Sequence, residues 1–295
     1  MKIVTVGTVY VDIKGYPDGA FFPTGRNAGK INYFHGGVAR NIAEDVAKLG
    51  EDSVLVSLVD KSGAASDVIK HLKEVNVKTD YVKATEKGMG TWMAVFDTAG
   101  ELCANISARP DLLPICDIIK ANEEQIFKDA YGILLEIDID EEIVDLTMNL
   151  AEKYGIPVYA VISNMTIAKE RLAYIRKTAC FFCNRLEAGI FFDKKTEGLS
   201  ALEMQNLLKS ELDRLGMKAM VVTMDKDGAV YADSEGEAGH CPSYPVTVVD
   251  TTGAGDAFFA GASVGLLRRM PFADACKMGA EVAARVIGTR ENVLR

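Results

Sequence analysis

The sequence predicts an α/β fold in three layers: a doubly wound, mostly parallel central sheet with a small β-sheet lid. Short runs rich in Val and Ile alternate with segments whose apolar residues recur at helical spacing, which is typical of a parallel sheet with helices on both faces. Hydrophobic residues make up 48% of the 295-residue chain, enough for a large core. Two segments that break the alternation would form the lid.

The amino-terminal half begins the alternation. It predicts a strand, a helix, a strand and a helix, in that order, over residues 2–7, 36–50, 53–59 and 64–75. In the first helix Val38, Ile42 and Val46 recur at helical spacing, and Gly50 suits the carboxyl-terminal cap. Ligands of such sheets bind beyond the carboxyl ends of the strands.

The carboxyl-terminal half repeats the same unit. Apolar runs predict four more strands, over residues 131–137, 156–162, 179–183 and 218–224. Each of the first three is followed by a predicted helix, the first of them over 141–155. All of these strands are expected to run parallel in one sheet.

Residues 10–35 and 89–107 interrupt this alternation. The first segment is long and has no helical period, and the second predicts a hairpin that turns at residues 97–100. Together they predict a small sheet that covers a site, because long insertions of this kind often act as lids. The whole chain, residues 1–295, is expected to be a single domain plus this lid.

The amino-acid composition argues against several classes of protein. The formal net charge of −9 argues against a nucleic-acid-binding surface. The six cysteines are too scattered for a disulfide framework, and no apolar run is long enough for a membrane span or a signal peptide. These features favour a cytoplasmic protein that acts on a small molecule.

The stretch DTTGAGDAFFAG, residues 250–261, reads as a tight turn followed by a helix. Glycine lets the backbone turn sharply and approach a ligand closely, and the first N–H groups of a helix favour an anion. Gly253, Ala254 and Gly255 are therefore expected to cradle a phosphoryl group. Asp256, in the first turn, is placed to accept a proton from an alcohol. Taken alone, Asp256 fits equally well as an acid that only stabilises the helix start.

This stretch resembles the carboxyl-terminal signature of the ribokinase-like (PfkB) carbohydrate kinases, D-T-x-G-A-G-D-x-F-x-x-G, over its full length. The resemblance implies a kinase that uses ATP and Mg²⁺. It implies that Asp256 is the catalytic base and that residues 253–255 form the anion hole. It also implies a monovalent-cation (K⁺) site at Asp250, completed by backbone carbonyls at 286–289.

The stretch GGVARN, residues 36–41, resembles the family's G-G-x-x-x-N signature. By this resemblance Gly36 and Gly37 would admit a sugar close to the backbone, and Asn41 would bind its hydroxyls. Asp12 matches the family's sugar-binding aspartate, although on its own it reads more readily as an exposed loop acid. Asp138 is predicted as a further sugar contact.

The nucleotide half also resembles the family. Asn184 and Glu187 match its N-x-x-E element, which implies contact with Mg²⁺ through water beside the ATP phosphates. Thr223 and Gly228 match the T-x-G-x-x-G stretch near the phosphates, but Asp225 replaces the middle glycine. That carboxylate is expected to alter the turn or weaken nucleotide binding.

Residues 27–50 resemble the pseudouridine kinases, and this similarity places Lys30 in the lid near the base or ribose. The prediction is phosphorylation of a primary hydroxyl, most specifically O5′ of pseudouridine. Ribose, another nucleoside and another sugar remain alternative acceptors, and a non-catalytic nucleotide or sugar sensor is the alternative from a different class. Family analogy further predicts a homodimer formed through the lid.

Overall fold

The structure is a computed structural model that describes residues 2–295. Its strands are β1 Lys2–Val6, β2 Tyr10–Pro17, β3 Gly29–Gly36, β4 Asp52–Val59, β5 Lys78–Ala84, β6 Gly90–Phe96, β7 Leu102–Ala108, β8 Ala130–Glu136, β9 Val158–Val161, β10 Cys180–Asn184, β11 Ala219–Thr223, β12 Ala229–Asp233 and β13 Ala238–Cys241. Its α-helices are α1 Val38–Lys48, α2 Gly63–Glu74, α3 Ile115–Ala121, α4 Glu123–Phe127, α5 Glu141–Tyr154, α6 Leu172–Ile175, α7 Arg185–Phe192, α8 Ala201–Leu215, α9 Ala254–Leu267 and α10 Phe272–Ile287. Short 3₁₀ turns span Met165–Ile167 and Asp225–Asp227.

Nine strands form the central sheet, in the order β13-β12-β11-β10-β9-β8-β1-β4-β5. Every neighbouring pair from β11 to β5 is parallel, and β12 and β13 extend one edge with antiparallel pairs. A second sheet has four strands in the order β3-β2-β6-β7. The predicted fold class, a mostly parallel central sheet with a small additional sheet, is confirmed.

The core lies on both faces of the central sheet. In β1 and β8, Val4 and Leu135 pack into the apolar cluster beneath α3, α5 and α8, whereas Ile3 and Leu134 pack on the opposite face beneath α1, α9 and α10. Side chains alternate between the faces of a strand, so a strand buried on both sides reads as a continuous apolar run.

Helices α1 and α9 lie on the same face of the central sheet, and both begin at its carboxyl edge. Each follows a glycine with positive φ: Gly37 at 96° and Gly253 at 81°. Such backbone angles suit glycine, because a Cβ atom makes positive φ unfavourable for most other residues. The two amino-terminal ends therefore start close to the point where ligands bind such sheets.

The small sheet has two unlike faces. The cross-strand row Phe34–Asp12–Trp92–Ser107 lies on the face toward the central sheet, and Asp12, Trp92 and Ser107 line the cleft between the two sheets. The neighbouring row Tyr33–Ile13–Met93–Ile106 lies on the opposite face.

The region after β9 differs from the sequence prediction. A full helix was expected there, but the chain forms a 3₁₀ turn and the short helix α6. Asn164 explains the difference, because its side-chain oxygen accepts hydrogen bonds from Thr166 N and Thr166 Oγ1, at 3.2 and 2.7 Å. Local bonds of this kind favour a turn over a helix start. Among residues 2–295, no helix is both long and apolar enough to cross a bilayer.

Candidate active site

A cleft of about 710 Å³ lies between the carboxyl edge of the central sheet and the small sheet. Thr8, Asp138 and Ser163 line it from the central sheet, where they follow β1, β8 and β9. Asp12 and Trp92 line it from the small sheet. The cleft therefore lies where open parallel sheets bind their ligands, and the small sheet forms its other wall.

The turn before α9 requires a glycine. Gly253 caps this helix with φ at 81°, and a Cβ atom there would collide with the backbone carbonyl of Asn292. Both constraints exclude a larger residue without movement of the chain. The turn places the start of α9 at the cleft, which Gly253 and Asp256 line.

Three of these backbone groups are free to bind an anion. Among the described residues, the N–H groups of Gly253, Gly255 and Asp256 donate to no protein acceptor; these three groups are called the amide cradle below. The sequence prediction included Ala254, but its N–H donates to Thr251 O at 3.2 Å. An unpaired set of amides at a helix amino terminus attracts phosphate through its partial positive charge.

Asp256 is held by α1. Its Oδ2 atom accepts a 2.6 Å hydrogen bond from Asn41 Nδ2, and Arg40 in turn donates to Asn41 Oδ1. Burial raises the pKa of Asp256 to about 6, an effect opposed by the hydrogen bond from Asn41. The carboxylates of Asp12 and Glu187 add to the rise. At neutral pH Asp256 is mostly ionised, and it keeps Oδ1 for a further partner.

This pairing gives Asn41 a position that the sequence did not predict. Sugar binding was predicted, and Asn41 lines the cleft, but its Oδ1 accepts from Arg40 and its Nδ2 donates to Asp256. Arg40 is almost fully buried and also bonds Glu44 Oε2 at 2.7 Å. Asn41 therefore lies between a buried arginine and the Asp256 carboxylate, where it orients the acid.

Asp12 and Asp138 differ in their surroundings. Asp12 is buried, which raises the pKa of its carboxyl, and Oδ2 accepts from Asn292 Nδ2 at 3.2 Å. Gly36 packs directly against this carboxylate, so a side chain there would displace it. Each oxygen of Asp138 already accepts from Ser163, at 3.1 Å from N and 2.7 Å from Oγ. Asp12 is thus the freer of the two acids for a substrate hydroxyl.

The predicted nucleotide residues lie at the same sheet edge but do not line the cleft. Asn184 and Thr223 are register partners at the ends of β10 and β11. Asn184 is the cap of α7 rather than a residue within it: its Oδ1 accepts from Glu187 N at 2.9 Å, and Glu187 Oε2 accepts from Asn184 N at 2.7 Å. The spacing of these two residues therefore forms a capping box at the start of α7.

The turn after β11 explains the missing middle glycine. Asp225 has φ at 52° and Gly228 has φ at 86°, so both occupy left-handed backbone conformations. Aspartate tolerates this region better than most residues. The substitution thus preserves the turn, and the exposed Asp225 carboxylate projects from it.

Four residues at or beside the site, Trp92, Arg109, Glu136 and Asn292, belong to none of the sequence motifs. Trp92, the chain's single tryptophan, and Arg109 line the cleft from the small sheet and from the chain just after it. Glu136 accepts from Thr8 N at 2.7 Å, and burial together with nearby Asp138 raises its pKa. Asn292 reaches Asp12 across 280 positions of sequence. Only the tryptophan, an isolated large aromatic in the predicted hairpin, offered a signal in the sequence.

A family model for pfkB carbohydrate kinases matches residues 1–293 of the chain. The chain belongs to this family. It is a sugar or nucleoside kinase, that is, a phosphotransferase with an alcohol acceptor.

Named relatives of this pfkB kinase include two nucleoside kinases. It is 31% identical to the guanosine-inosine kinase of Exiguobacterium acetylicum, over 99% of this chain and 96% of that protein. It is 25% identical to the pseudouridine kinase of Escherichia coli K12, over 93% and 87%. The predicted special closeness to pseudouridine kinases is therefore not supported. The ribokinase of Arabidopsis thaliana complexed with ribose and ATP shares the fold, with TM-score 0.83, 20% identity and coverage of 98% and 93%.

The monovalent-cation site implied by the family resemblance does not fit this pfkB kinase. Asp250 Oδ2 accepts from Lys14 Nζ at 2.9 Å, and Asp250 Oδ1 accepts from Thr252 N and Oγ1 at 2.9 and 2.7 Å. Burial alone would raise the pKa of Asp250, but the bonds from Thr252 and Lys14 outweigh it and lower that pKa. The carboxylate is thus already paired with a protein cation.

Lys30, predicted to contact the substrate, also lies outside the cleft lining. It lies on β3 opposite Tyr16, where it is exposed, and it is absent from the cleft lining. Asp12 and Phe34 lie four positions closer to the cleft on the same face of the small sheet. The strand register therefore places Lys30 beyond the end of the small sheet that faces the cleft.

Proposed function

We propose that this pfkB kinase transfers the γ-phosphoryl group of ATP to the 5′-hydroxyl of a nucleoside, with guanosine and inosine as its preferred acceptors. The arrangement that supports the proposal is a single cleft lined by the ionised Asp256, by Gly253 of the amide cradle and by the buried Asp12. The 31% identity to a guanosine-inosine kinase over nearly the whole chain supports the acceptor class.

Asp256 acts as the general base. The acceptor oxygen attacks the γ-phosphorus, the bond from phosphorus to the bridging oxygen breaks, and ADP leaves with that electron pair. The hydroxyl proton moves to Asp256 Oδ1, because Oδ2 is held by Asn41. A carboxyl with pKa about 6 is ionised at neutral pH yet basic enough to take this proton.

The amide cradle stabilises the transferring phosphoryl group. Gly253, Gly255 and Asp256 offer unpaired N–H groups at the amino end of α9, a helix of 14 residues. Preorganised donors of this kind stabilise charge as it develops and need no reorganisation during the reaction. Asp12 accepts hydrogen bonds from the ribose hydroxyls and so fixes the 5′-hydroxyl near the base.

Mg²⁺ would come with ATP and neutralise charge on its phosphates. Among the described residues, no group of three or more His, Cys, Asp and Glu side chains is arranged to hold a metal ion. Glu187 fits an indirect role, since Oε2 caps α7 while Oε1 accepts no hydrogen bond from the described residues. That oxygen would contact a metal-bound water, and Thr223 and Gly228 would lie beside the nucleotide.

The small sheet would act as a lid and as a dimer interface. Its inner face supplies Asp12 and Trp92 to the cleft, so it would exclude water from the transfer. Its outer face carries the apolar row Tyr33–Ile13–Met93–Ile106, in which Tyr33 is 70% and Ile106 64% exposed; Ile31, beside Tyr33 on β3, is 64% exposed. An exposed patch of this kind favours association, and a second copy of the same face would cover it symmetrically.

Pseudouridine is the second candidate acceptor, because residues 27–50 resemble the pseudouridine kinases. A panel of guanosine, inosine, pseudouridine, uridine and ribose, each with ATP and Mg²⁺, separates the candidates by kcat/KM. Highest activity on pseudouridine would replace the purine assignment. Activity confined to free ribose would remove the nucleoside proposal altogether.

The same panel needs a variant that separates transfer from binding. Asp256→Asn is expected to fold and to lose nearly all transfer. Asp274→Asn is the matched control, since Asp274 is also an acid in the first turn of a helix and is bonded to Lys277 at 3.0 Å, outside the cleft. Calorimetric binding of nucleoside and ATP by the wild-type protein without any product would instead indicate a sensor.

A further inference from the structure

A buried ammonium group lies next to the turn that carries the amide cradle. Lys14 is 1% exposed, and its Nζ donates to Asp250 Oδ2 and to Thr252 Oγ1, both at 2.9 Å. The same atom lies 5.0 Å from the centre of the Phe34 ring, within range of a cation–π contact. A buried lysine is stable only when paired in this way, so its position is closely specified.

Asp250 and two of the four backbone carbonyls that the family resemblance assigned to a monovalent cation already accept hydrogen bonds within the protein. Asp250 accepts from Lys14 through one oxygen and from Thr252 through the other. The backbone carbonyl of Val286 accepts from Thr289 N and Oγ1, at 2.9 and 3.1 Å. That of Ile287 accepts from the N–H groups of Val249 and Asp250, at 2.9 and 3.4 Å. A K⁺ ion bound to the Asp250 carboxylate would have to displace the lysine.

We propose that the Lys14 ammonium is a built-in cation that replaces a monovalent metal ion beside the amide cradle. This proposal rests on the proposed phosphoryl transfer, because the Lys14 charge would act by stabilising a phosphate bound at the amide cradle. Lys14 is a positioning residue: it holds the Asp250–Thr252 segment, and this segment leads directly into Gly253. The kinase is accordingly independent of K⁺.

Lys14 also couples the two sheets. It lies on β2 of the small sheet, two positions after Asp12 and therefore on the same face, whereas Asp250 and Thr252 precede α9. One ion pair thus links the strand that supplies a substrate contact to the turn that would bind phosphate. Loss of the ammonium is expected to disturb both the charge at the cradle and the position of that turn.

Two substitutions at one position separate a missing charge from a missing side chain. Lys14→Ala removes the ammonium and leaves room for a small ion next to Asp250. Lys14→Met removes the charge but fills the space with a side chain of similar length. Each is assayed with ATP, Mg²⁺ and guanosine, in about 0.1 M potassium, ammonium or tetramethylammonium chloride so that screening stays constant.

We expect the wild type to have the same kcat/KM in all three salts. In tetramethylammonium both variants should lose about a hundredfold, as when one preorganised donor is removed from a transition-state site. Potassium or ammonium should restore much of the Lys14→Ala rate and none of the Lys14→Met rate. Strong activation of the wild type by potassium, or a Lys14→Ala enzyme that is fully active or not rescued, would overturn the proposal.

A binding measurement separates this proposal from the proposed function. ATP affinity, measured by calorimetry in the same three salts, needs no acceptor and no turnover. The wild type should bind ATP equally in each salt, whereas Lys14→Ala should bind more tightly with potassium than with tetramethylammonium. An effect of potassium on ATP binding by the wild type counts against a built-in cation, even if the acceptor proves not to be a nucleoside. If Lys14→Ala does not fold, the wild-type comparison still decides.

Discussion

The side-chain amide of Asn41 donates a 2.6 Å hydrogen bond to Oδ2 of Asp256 and so joins the first turns of α1 and α9. The two residues are 215 positions apart in the sequence. Each lies just after a glycine of positive φ, Gly37 or Gly253, that begins its helix. The amide therefore presents the proposed base to the cleft with one oxygen fixed and the other free.

The hydrogen bond predicts a specific pH dependence. Transfer requires ionised Asp256, so kcat/KM should rise with pH through an apparent pKa of about 6 and then level off. A donor to a carboxylate favours its ionised form, hence its removal in Asn41→Leu should move this rise to higher pH. Asn149→Leu, an exposed amide on α5, is the control and should leave the profile unchanged.

The profile is measured as kcat/KM against pH for the wild type and both variants. A lower plateau in Asn41→Leu with an unmoved acidic limb would mean that Asn41 affects the rate without tuning the base. If the acidic limb of the wild-type profile has an apparent pKa near the ordinary value for aspartate, the raised pKa of Asp256 is contradicted.

The glycines of the cradle should respond differently to alanine. Gly253→Ala places a Cβ against the Asn292 carbonyl in a left-handed backbone, so it should destabilise the protein by about 2 kcal/mol or more. Gly255 lies within α9 with open space around its Cβ position, so Gly255→Ala should retain or slightly raise stability. Urea denaturation of both variants checks the difference. Equal losses in the two would contradict the backbone argument.

The features of this structure that could be predicted from the sequence are those encoded by short local patterns. The turn at Gly253 and the start of α1 after Gly37 could be predicted from short stretches of sequence, because helix starts and left-handed turns depend on nearby residues. The alternation of buried strands with amphipathic helices was likewise sufficient for the central sheet.

The unpredicted part depends on contacts between distant segments. Lys14 meets Asp250 across 236 positions, and Asn292 meets Asp12 across 280. Such pairs arise from strand register and from how the small sheet sits over the cleft, which no local window encodes. Glu187 shows that one spacing fits two arrangements: its i, i+3 spacing from Asn184 was interpreted as a metal motif, and the same spacing forms a capping box.

Substitution of Asp12 and of Asp138, the two acids near the proposed ribose site, should change the KM for the nucleoside to different extents. Asp12→Asn should raise KM for the nucleoside about tenfold or more and leave KM for ATP nearly unchanged, since a buried charged acceptor is lost. Asp138→Asn should affect KM less, because Ser163 already occupies each of its oxygens. Steady-state kinetics with each substrate varied in turn test the ranking. A larger effect on nucleoside KM at Asp138 would reverse the assignment.

The outer face of the small sheet should determine the oligomeric state. Ile106 is 64% exposed and lies in the apolar row with Tyr33 and Met93. A charge buried at a self-complementary interface has no partner, so Ile106→Asp should convert a dimer into a monomer. Leu202→Asp is the matched control, since Leu202 is 66% exposed but lies on α8, away from this face. Sedimentation at micromolar concentration distinguishes the states. A monomeric wild type, or an Ile106→Asp protein that stays dimeric, would show that this face does not pair with its copy.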